Sequence, residues 1–273
     1  MNNQFLNIVN NEIKIPGLKQ NYTILQISDT HIMAANESST PEHMKSIQEQ
    51  EITWLRIKKD FANHFKEPWN EEHNISTIEC FEKVMEYAKK QAPDLLILSG
   101  DILNFEHKEG YEYFVEYMKS YPYSWLFVPG NHDNEYMPRQ LSIEEMQIYN
   151  FEEFRVVGLD NSKMTVTQET LEQLEGLLSD GKPTILVMHV PVETNFNKDA
   201  MGVFEPYFVI NIDRADENGR RLIEICENKE LPIVAVLCGH VHGYHKSELI
   251  DGREQICCSS GLVGFVHQIV VKK

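Results

Sequence analysis

Five times along the chain a short run of aliphatic residues stops, and a residue able to bind a metal follows at once. "YTILQIS" leads into Asp29, Thr30 and His31, and "DLLILS" into Gly100 and Asp101. "SWLFVP" leads into Gly130, Asn131, His132 and Asp133, "TILVM" into His189, and "IVAVL" into Cys238, Gly239, His240, Val241 and His242. Runs of this length, rich in Ile, Leu and Val, read as strands buried on both faces.

Helical periodicity separates the runs. Residues 74–91 place Ile78, Phe81, Val84, Met85 and Ala88 on one stripe, with Pro93 as a stop. Residues 167–179 repeat the pattern with Leu171, Leu174, Leu177 and Leu178, and residues 213–228 offer a third helix ending near Pro232. Strand and helix in alternation predict βαβ units with right-handed crossovers. After residue 245 the text changes to short strands and tight turns, with Asp251-Gly252 as a hairpin signal. Residues 36–70 are long, charged and helical in pattern; they read as an insertion leaning over whatever the strand ends build. The expectation is a single domain spanning 1–273, of mixed α/β class, since 273 residues suit one large α/β unit with a modest insertion.

Charge narrows the partners. A formal net charge of −17 argues against a binder of long DNA or RNA, which needs clustered Lys and Arg. It does not exclude a phosphate substrate, because bound divalent ions invert the local field. Five cysteines, Cys80, Cys226, Cys238, Cys257 and Cys258, form no disulfide framework, and they read as reduced thiols in a cytoplasmic protein. The N-terminal stretch has neither a basic n-region nor an apolar h-region, and no run approaches the ~20 apolar residues of a membrane span. No membrane partner is expected.

The motifs differ in weight. His-x-His is expected by chance about 0.4 times in this composition, and a Gly-Asp after a strand is usually a turn. Gly-Asn-His-Asp is different, with a chance expectation on the order of 0.002. Position adds more: all five motifs fall where a strand ends, the edge at which open α/β sheets bind ligands. The donors Asp29, His31, Asp101, Asn131, His189, His240 and His242 offer only oxygen and nitrogen, which suits Mn, Fe, Zn, Ni or Co and not Cu(I). Seven donors exceed what one tetrahedral ion takes and suffice for two divalent ions sharing a carboxylate.

Taken in order, D-T-H, G-D-I-L-N, G-N-H-D, a strand-terminal H and G-H-V-H resemble the calcineurin-like metallophosphoesterase superfamily. The resemblance runs from Asp29 to His242. It implies a four-layer α-β-β-α sandwich of two mixed sheets flanked by helices, with a dinuclear site at the strand ends. Asp29, His31 and His242 would hold the first ion; Asn131, His189 and His240 the second; Asp101 would bridge them. The resemblance makes His132 the catalytic histidine, facing substrate with Asn131, and Asp133 the carboxylate that orients it. His240 and His242 are expected to point the same way along an extended segment, and His245 to be a surface residue. The chemistry implied is hydrolysis of a phosphate ester by dimetal-activated water, with His132 protonating the leaving group.

The branch is narrower than the superfamily. Ser/Thr protein phosphatases carry Asp-Arg-Gly after Gly-Asp and Glu after Gly-Asn-His; this chain has "GDILNFEH" and "GNHD", closer to the phosphodiesterase-like branch. The expected substrate is a small phosphodiester or a nucleotide. The loop after His189 offers Phe196, Phe204, Tyr207 and Phe208 for stacking, or merely for packing that loop onto the core. Two other readings stay open: a phosphomonoesterase on a small metabolite, and a non-catalytic metal-binding scaffold.

Overall fold

The computed structural model describes residues 5–105, 108–133 and 140–273. Two sheets face one another. In the first, β1 (Asn7–Lys14), β13 (Phe265–Lys272), β2 (Tyr22–Ile27), β3 (Leu95–Leu98) and β4 (Trp125–Phe127) lie in that order. In the second the order is β11 (His245–Ile250), β12 (Arg253–Cys257), β10 (Ile233–Cys238), β7 (Thr184–Met188), β6 (Arg155–Leu159) and β5 (Met146–Asn150). The strands that carry the motifs run parallel to their neighbours, β2 with β3 and β4, and β7 with β10. Antiparallel members, β13 on β2, β11 on β12 and β5 on β6, make both sheets mixed.

Alternation along each strand explains the layering. On β2, Ile24 points into the core between the sheets, with Ile97, Leu126, Val156, Ile185, Val187, Ala235 and Leu237. Its neighbours Leu25 and Ile27 point outward, against Phe81, Val84 and Met85 of α2 (Thr77–Gln91) and Phe114 and Met118 of α3 (Lys108–Lys119). The second sheet does the same. Leu186, Met188 and Val236 meet Leu171 and Leu174 of α4 (Gln168–Leu178), together with Leu222, Ile223 and Cys226 of α6 (Glu217–Glu227). The short α5 (Lys198–Met201) and the ribbon of β8 (Val192–Glu193) and β9 (Ile210–Asn211) close the loop after His189. Burying each large apolar side chain in these three clusters contributes roughly 1.5–3 kcal/mol. That makes the two sheets a stiff base for the loops at their edge.

The four layers expected from the motifs are present. Two features were not anticipated. Residues 7–14 form β1, whose alternating polar text gives no continuous apolar run, because only one of its faces is covered. The hairpin signal at Asp251-Gly252 is met by β11 and β12, but β13 lies parallel to β1, and β12 parallel to β10. All five cysteines are free and buried. Among the described residues no helix is long and apolar enough to cross a membrane.

Between β2 and α2 stands α1 (Pro41–Phe65), started by Thr40 as N-cap with Pro41 in the first turn and ended by Lys66 in left-handed conformation. It is tied to the framework by polar contacts. Thr77 Oγ1 donates to Glu51 at 2.8 Å, and the buried Lys58 ammonium donates to the carbonyl of Ile75 at 2.7 Å. Its Trp54, Phe61 and Phe65 turn toward the strand-end loops, which sets up the site.

Candidate metal centre

The loops after β2, β3, β7 and β10 converge because they are laced to one another. The amide of Asp29 donates to the carbonyl of Gly100, that of His31 to Asp101, and that of Gly239 to His189. Gly100, at φ +95°, lies against the His189 ring, and Gly130 lies against the Asp101 carboxylate; a Cβ at either would collide with a candidate ligand. The backbone is strained where the chemistry sits. Asp29, His31, Asp101, His240 and His242 all have φ between +44° and +70°, a region that non-glycine residues seldom adopt and that costs about 1–3 kcal/mol each. The expectation of an extended segment at His240 and His242 therefore fails. Each is left-handed, and the amide of Val241 between them donates to the carbonyl of Gly239, so the chain turns to deliver both rings to one place.

Two donor groups result, Asp29, His31, Asp101 and His242 in one, Asp101, His189 and His240 in the other. In the first, His31 Nε2 and His242 Nε2 are 3.1 Å apart, and His242 Nε2 is 3.3 Å from Asp29 Oδ1. In the second, His240 Nδ1 is 3.2 Å from His189 Nε2, which lies 3.3 Å from Asp101 Oδ2. Asp101 Oδ2 is also 3.8 Å from His31 Nε2, so one oxygen faces both groups. The other, Oδ1, accepts from the His132 amide at 2.8 Å.

Divalent cations fit this arrangement. Imidazole nitrogens about 3 Å apart repel through their lone pairs unless something positive lies between them, and that spacing matches neighbouring corners of a shell with bonds of about 2.1 Å. Asp29 Oδ1 is buried with no hydrogen-bond donor. His189 Nδ1 lies 2.8 Å from the carbonyl of Ser99, which can only accept, so Nδ1 carries a proton and Nε2 is turned to the cluster.

Electrostatics agree. Burial pushes the Asp29 carboxyl up to about 7. Burial would raise Asp101 as well, but the imidazoles of His189 and His31 hold it well below the usual carboxylate range. Burial presses down on His31, on His242 (to about 4) and on His240 (to about 3), leaving them neutral and able to ligate. His189 is the exception: burial opposes its charge, yet the Asp101 carboxylate raises it to about 10. Two carboxylates and four imidazoles share one buried pocket in which protons compete with metal.

The remaining predicted residues sit around this core. Asn131 is exposed in the turn from Gly130 to Asp133, and its amide makes no hydrogen bond among the described residues. His132 is half-buried, its ring edge-on to His31 at 4.7 Å. Its expected pairing with Asp133 is not what the structure contains. Asp133 is buried and accepts from the amides of Leu103 and Gly130, both at 2.8 Å, so it braces the turn; burial raises it to about 7. His132 Nδ1 instead lies 2.7 Å from the backbone carbonyl of Asn104. Phe196 and Tyr207 are 57% and 58% exposed; the Tyr207 ring lies tilted against Phe208 at 4.5 Å, and Phe208 reaches the His240 ring at 5.4 Å. His245, expected at the surface, is half-buried at the start of β11 with its ring edge-on to Phe204.

Sequence reasoning missed Asn104 and Trp54. Asn104 closes the quoted "GDILN", three residues beyond Asp101, and that spacing was the available signal. Trp54, in a charged helix, gave none. Its ring nevertheless lies 4.2 Å from His31 and stacks at 5.8 Å on His242, while Phe61 lies 4.9 Å from His242.

Comparison with known proteins agrees with this architecture. The model of the calcineurin-like phosphoesterase family matches residues 22–244. The chain is 31% identical over 171 residues to glycerophosphodiester phosphodiesterase GpdQ of Enterobacter lignolyticus (strain SCF1), covering 56% of this chain and 57% of that protein. It is 29% identical over 176 residues to the probable glycerophosphodiester phosphodiesterase GpdQ of Arcobacter nitrofigilis, covering 56% and 58%. The chain thus spans a little over half the length of these curated relatives. Among solved structures, a dimetal phosphatase from Danio rerio superposes with a TM-score of 0.53 over 88% of each chain at 12% identity, a likeness of fold alone.

Proposed function

The chain belongs to the calcineurin-like phosphoesterase family, and from that premise we propose that it is a metal-dependent phosphodiesterase acting on a small diester, of the size of a glycerophosphodiester or a nucleotide. The observation that carries this reading is the single Asp101 oxygen facing both donor groups, with the His132 ring 4.7 Å from His31 at their rim. Asp29, His31 and His242 would hold one ion and Asn131, His189 and His240 the other, with Asp101 between. Two bound ions, Mn, Fe or Zn by donor type, supply charge neutralisation for the phosphoryl oxygens and activate water at neutral pH.

The protein's own groups do the rest. The Asn104 carbonyl keeps the proton on His132 Nδ1, so Nε2 faces the substrate. From Nε2 the imidazolium donates to the leaving oxygen, which an alkoxide needs and a nitrophenolate hardly does. The net charge of −17 and the absence of a basic stripe favour a small substrate over long nucleic acid. Names of the curated relatives point to a diester in place of a monoester. The chain is read as one catalytic unit with residues 36–70 inserted between β2 and α2, and its free, buried cysteines suit the cytoplasm.

A panel of phosphomonoesters, diesters and nucleotides assayed with added Mn²⁺ tests the reading. Diester hydrolysis abolished by chelation and restored by metal is expected. Hydrolysis confined to monoesters would install the metabolite monoesterase in its place, and two bound ions without any hydrolysis would make the protein a scaffold.

A further inference from the structure

The helix α1 grips Asn104 at both ends of its side-chain amide. Trp54 Nε1 donates to Asn104 Oδ1 at 2.9 Å, and Asn104 Nδ2 donates to Gln50 Oε1 at 2.7 Å and to the sulfur of Met33. Gln50 and Trp54 are four residues apart, hence on one face of the helix. The backbone of Asn104 is held as well, its amide donating to the carbonyl of Ile32, the residue after His31. What remains is its carbonyl oxygen, and that oxygen receives His132 Nδ1 at 2.7 Å. Asn104 is only 6% exposed, so water does not compete for these bonds.

We infer that α1 is a positioning element for His132, with Trp54 and Gln50 as the positioning residues acting through Asn104. The inference rests on the reading of His132 as the proton donor. The physical reason is economy of contact. The described structure gives His132 one ring hydrogen bond, so the direction of Nε2 depends on where the Asn104 carbonyl stands. That carbonyl follows the side chain that α1 holds. If one α1 bond is removed the peptide can rotate, the ring swings, and Nε2 no longer aims at the leaving oxygen. Misplacements of about 1 Å far from the reacting atoms can cost up to ~10²-fold.

Trp54→Phe keeps an aromatic ring beside His31 and His242 and removes the indole N–H together with part of the ring. Gln50→Leu removes the other bond and touches no candidate ligand, and Gln50→Glu restores an acceptor. Each is compared with wild type and His132→Ala on an alkyl diester and a bis-nitrophenyl diester, with metal content measured on the same samples. We expect Trp54→Phe and Gln50→Leu to lose about 10-fold in kcat on the alkyl diester and far less on the nitrophenyl ester. KM and metal content should stay near wild type, and Gln50→Glu should recover most of the loss. If Trp54→Phe sheds metal, Gln50→Leu decides. Wild-type rates from Gln50→Leu on the alkyl diester, or equal losses on both esters, overturn the inference. A second measurement separates it from the functional reading. In ¹⁵N-histidine spectra of the metal-free protein, the resonance missing in His132→Ala should report a protonated Nδ1 in wild type and lose that state in Gln50→Leu. If His132→Ala loses equally on both esters, the proton-donor reading falls, while an unchanged Nδ1 state in Gln50→Leu sinks the positioning by α1.

Discussion

The two halves of the candidate metal centre share an oxygen and little else. The half built on Asp29, His31 and His242 is buried throughout and walled by α1, with Trp54 over His31 and His242 and Phe61 beside His242. The half built on His189 and His240 has a half-buried histidine, one aromatic neighbour among the described residues in Phe208, and beside it, in the proposed ligand set, the exposed Asn131. One half is part of the packed interior. The other is the more exposed, at His240 and Asn131. Rigidity and access are thus divided between two ions' worth of ligands, and Asp101 is where the halves meet.

The largest effect should come from breaking that junction. Asp101→Asn removes the charge that both groups face and leaves His31 and His189 without their shared carboxylate. Metal content should fall from two ions to less than one, with activity down on the order of 10³-fold. Two tightly held ions in this variant would mean that the halves are independent sites and that the shared oxygen is incidental.

Asn131→Ala sharpens the contrast, because the proposed ligand set gives Asn131 to the open half only. A neutral amide oxygen lost from an exposed position should weaken the second ion by about 10–100-fold and leave the first unchanged, read by calorimetric titration of Mn²⁺ into metal-free protein. Wild-type affinity for both ions in this variant would withdraw Asn131 from the ligand set.

Protons should tell the halves apart as well. Above pH 7 the ligands of the buried half are ready: His31 and His242 are held low and Asp29 has ionised through about 7. In the open half His189 keeps its proton until about 10. Its folded value exceeds that of an unfolded histidine, near 6.5. Its proton therefore stabilises the metal-free fold fully below pH ~6.5, and that contribution is lost as pH rises towards 10. Binding of the second ion at pH 8 should release about one proton and tighten about tenfold per pH unit, while the first ion releases none. Proton release measured in a weak buffer at pH 8 checks this, and release accompanying the first ion would reverse the assignment.

Much of the centre was readable as text because a ligand is a local fact: a polar residue of the right type directly after an apolar run. Asp29, His31, Asp101, His189, His240 and His242 were picked out that way as candidates that the structure brings together, and the four layers followed from the resemblance that those motifs carry. What escaped depends on distant partners. Strand β1 gains its place from β13, more than 250 residues later, and polar alternation in "NIVNNEIK" does not announce that pairing. The left-handed turns at His240 and His242 follow from contacts with the loops of β2 and β7, such as the His240 amide donating to Asp29. The exchange of Asp133 for Asn104 as the partner of His132 brings in a backbone carbonyl 28 residues away, and the spacing of Asn104 after Asp101 marks the residue without showing which of its atoms meets the ring.

The smallest expected effect tests whether the wall matters for the ion or only for the fold. The Phe61 ring lies 4.9 Å from His242 and parallel to Phe65 at 6.3 Å, and it is half-buried. Truncating it in Phe61→Ala removes apolar cover from one side of the buried half and no hydrogen bond. The stability loss should be about 1–2 kcal/mol, less than for a fully buried phenylalanine. Water then reaches the His242 face, the local dielectric rises, and the attraction between ligands and ion weakens. The first ion should leave a few-fold faster, about 3-fold, when excess chelator is mixed in, while the second ion keeps its wild-type rate. A faster second ion, or no change in either, would mean that α1 shapes this site through Trp54 and Asn104 alone and that burial by Phe61 only supports the helix.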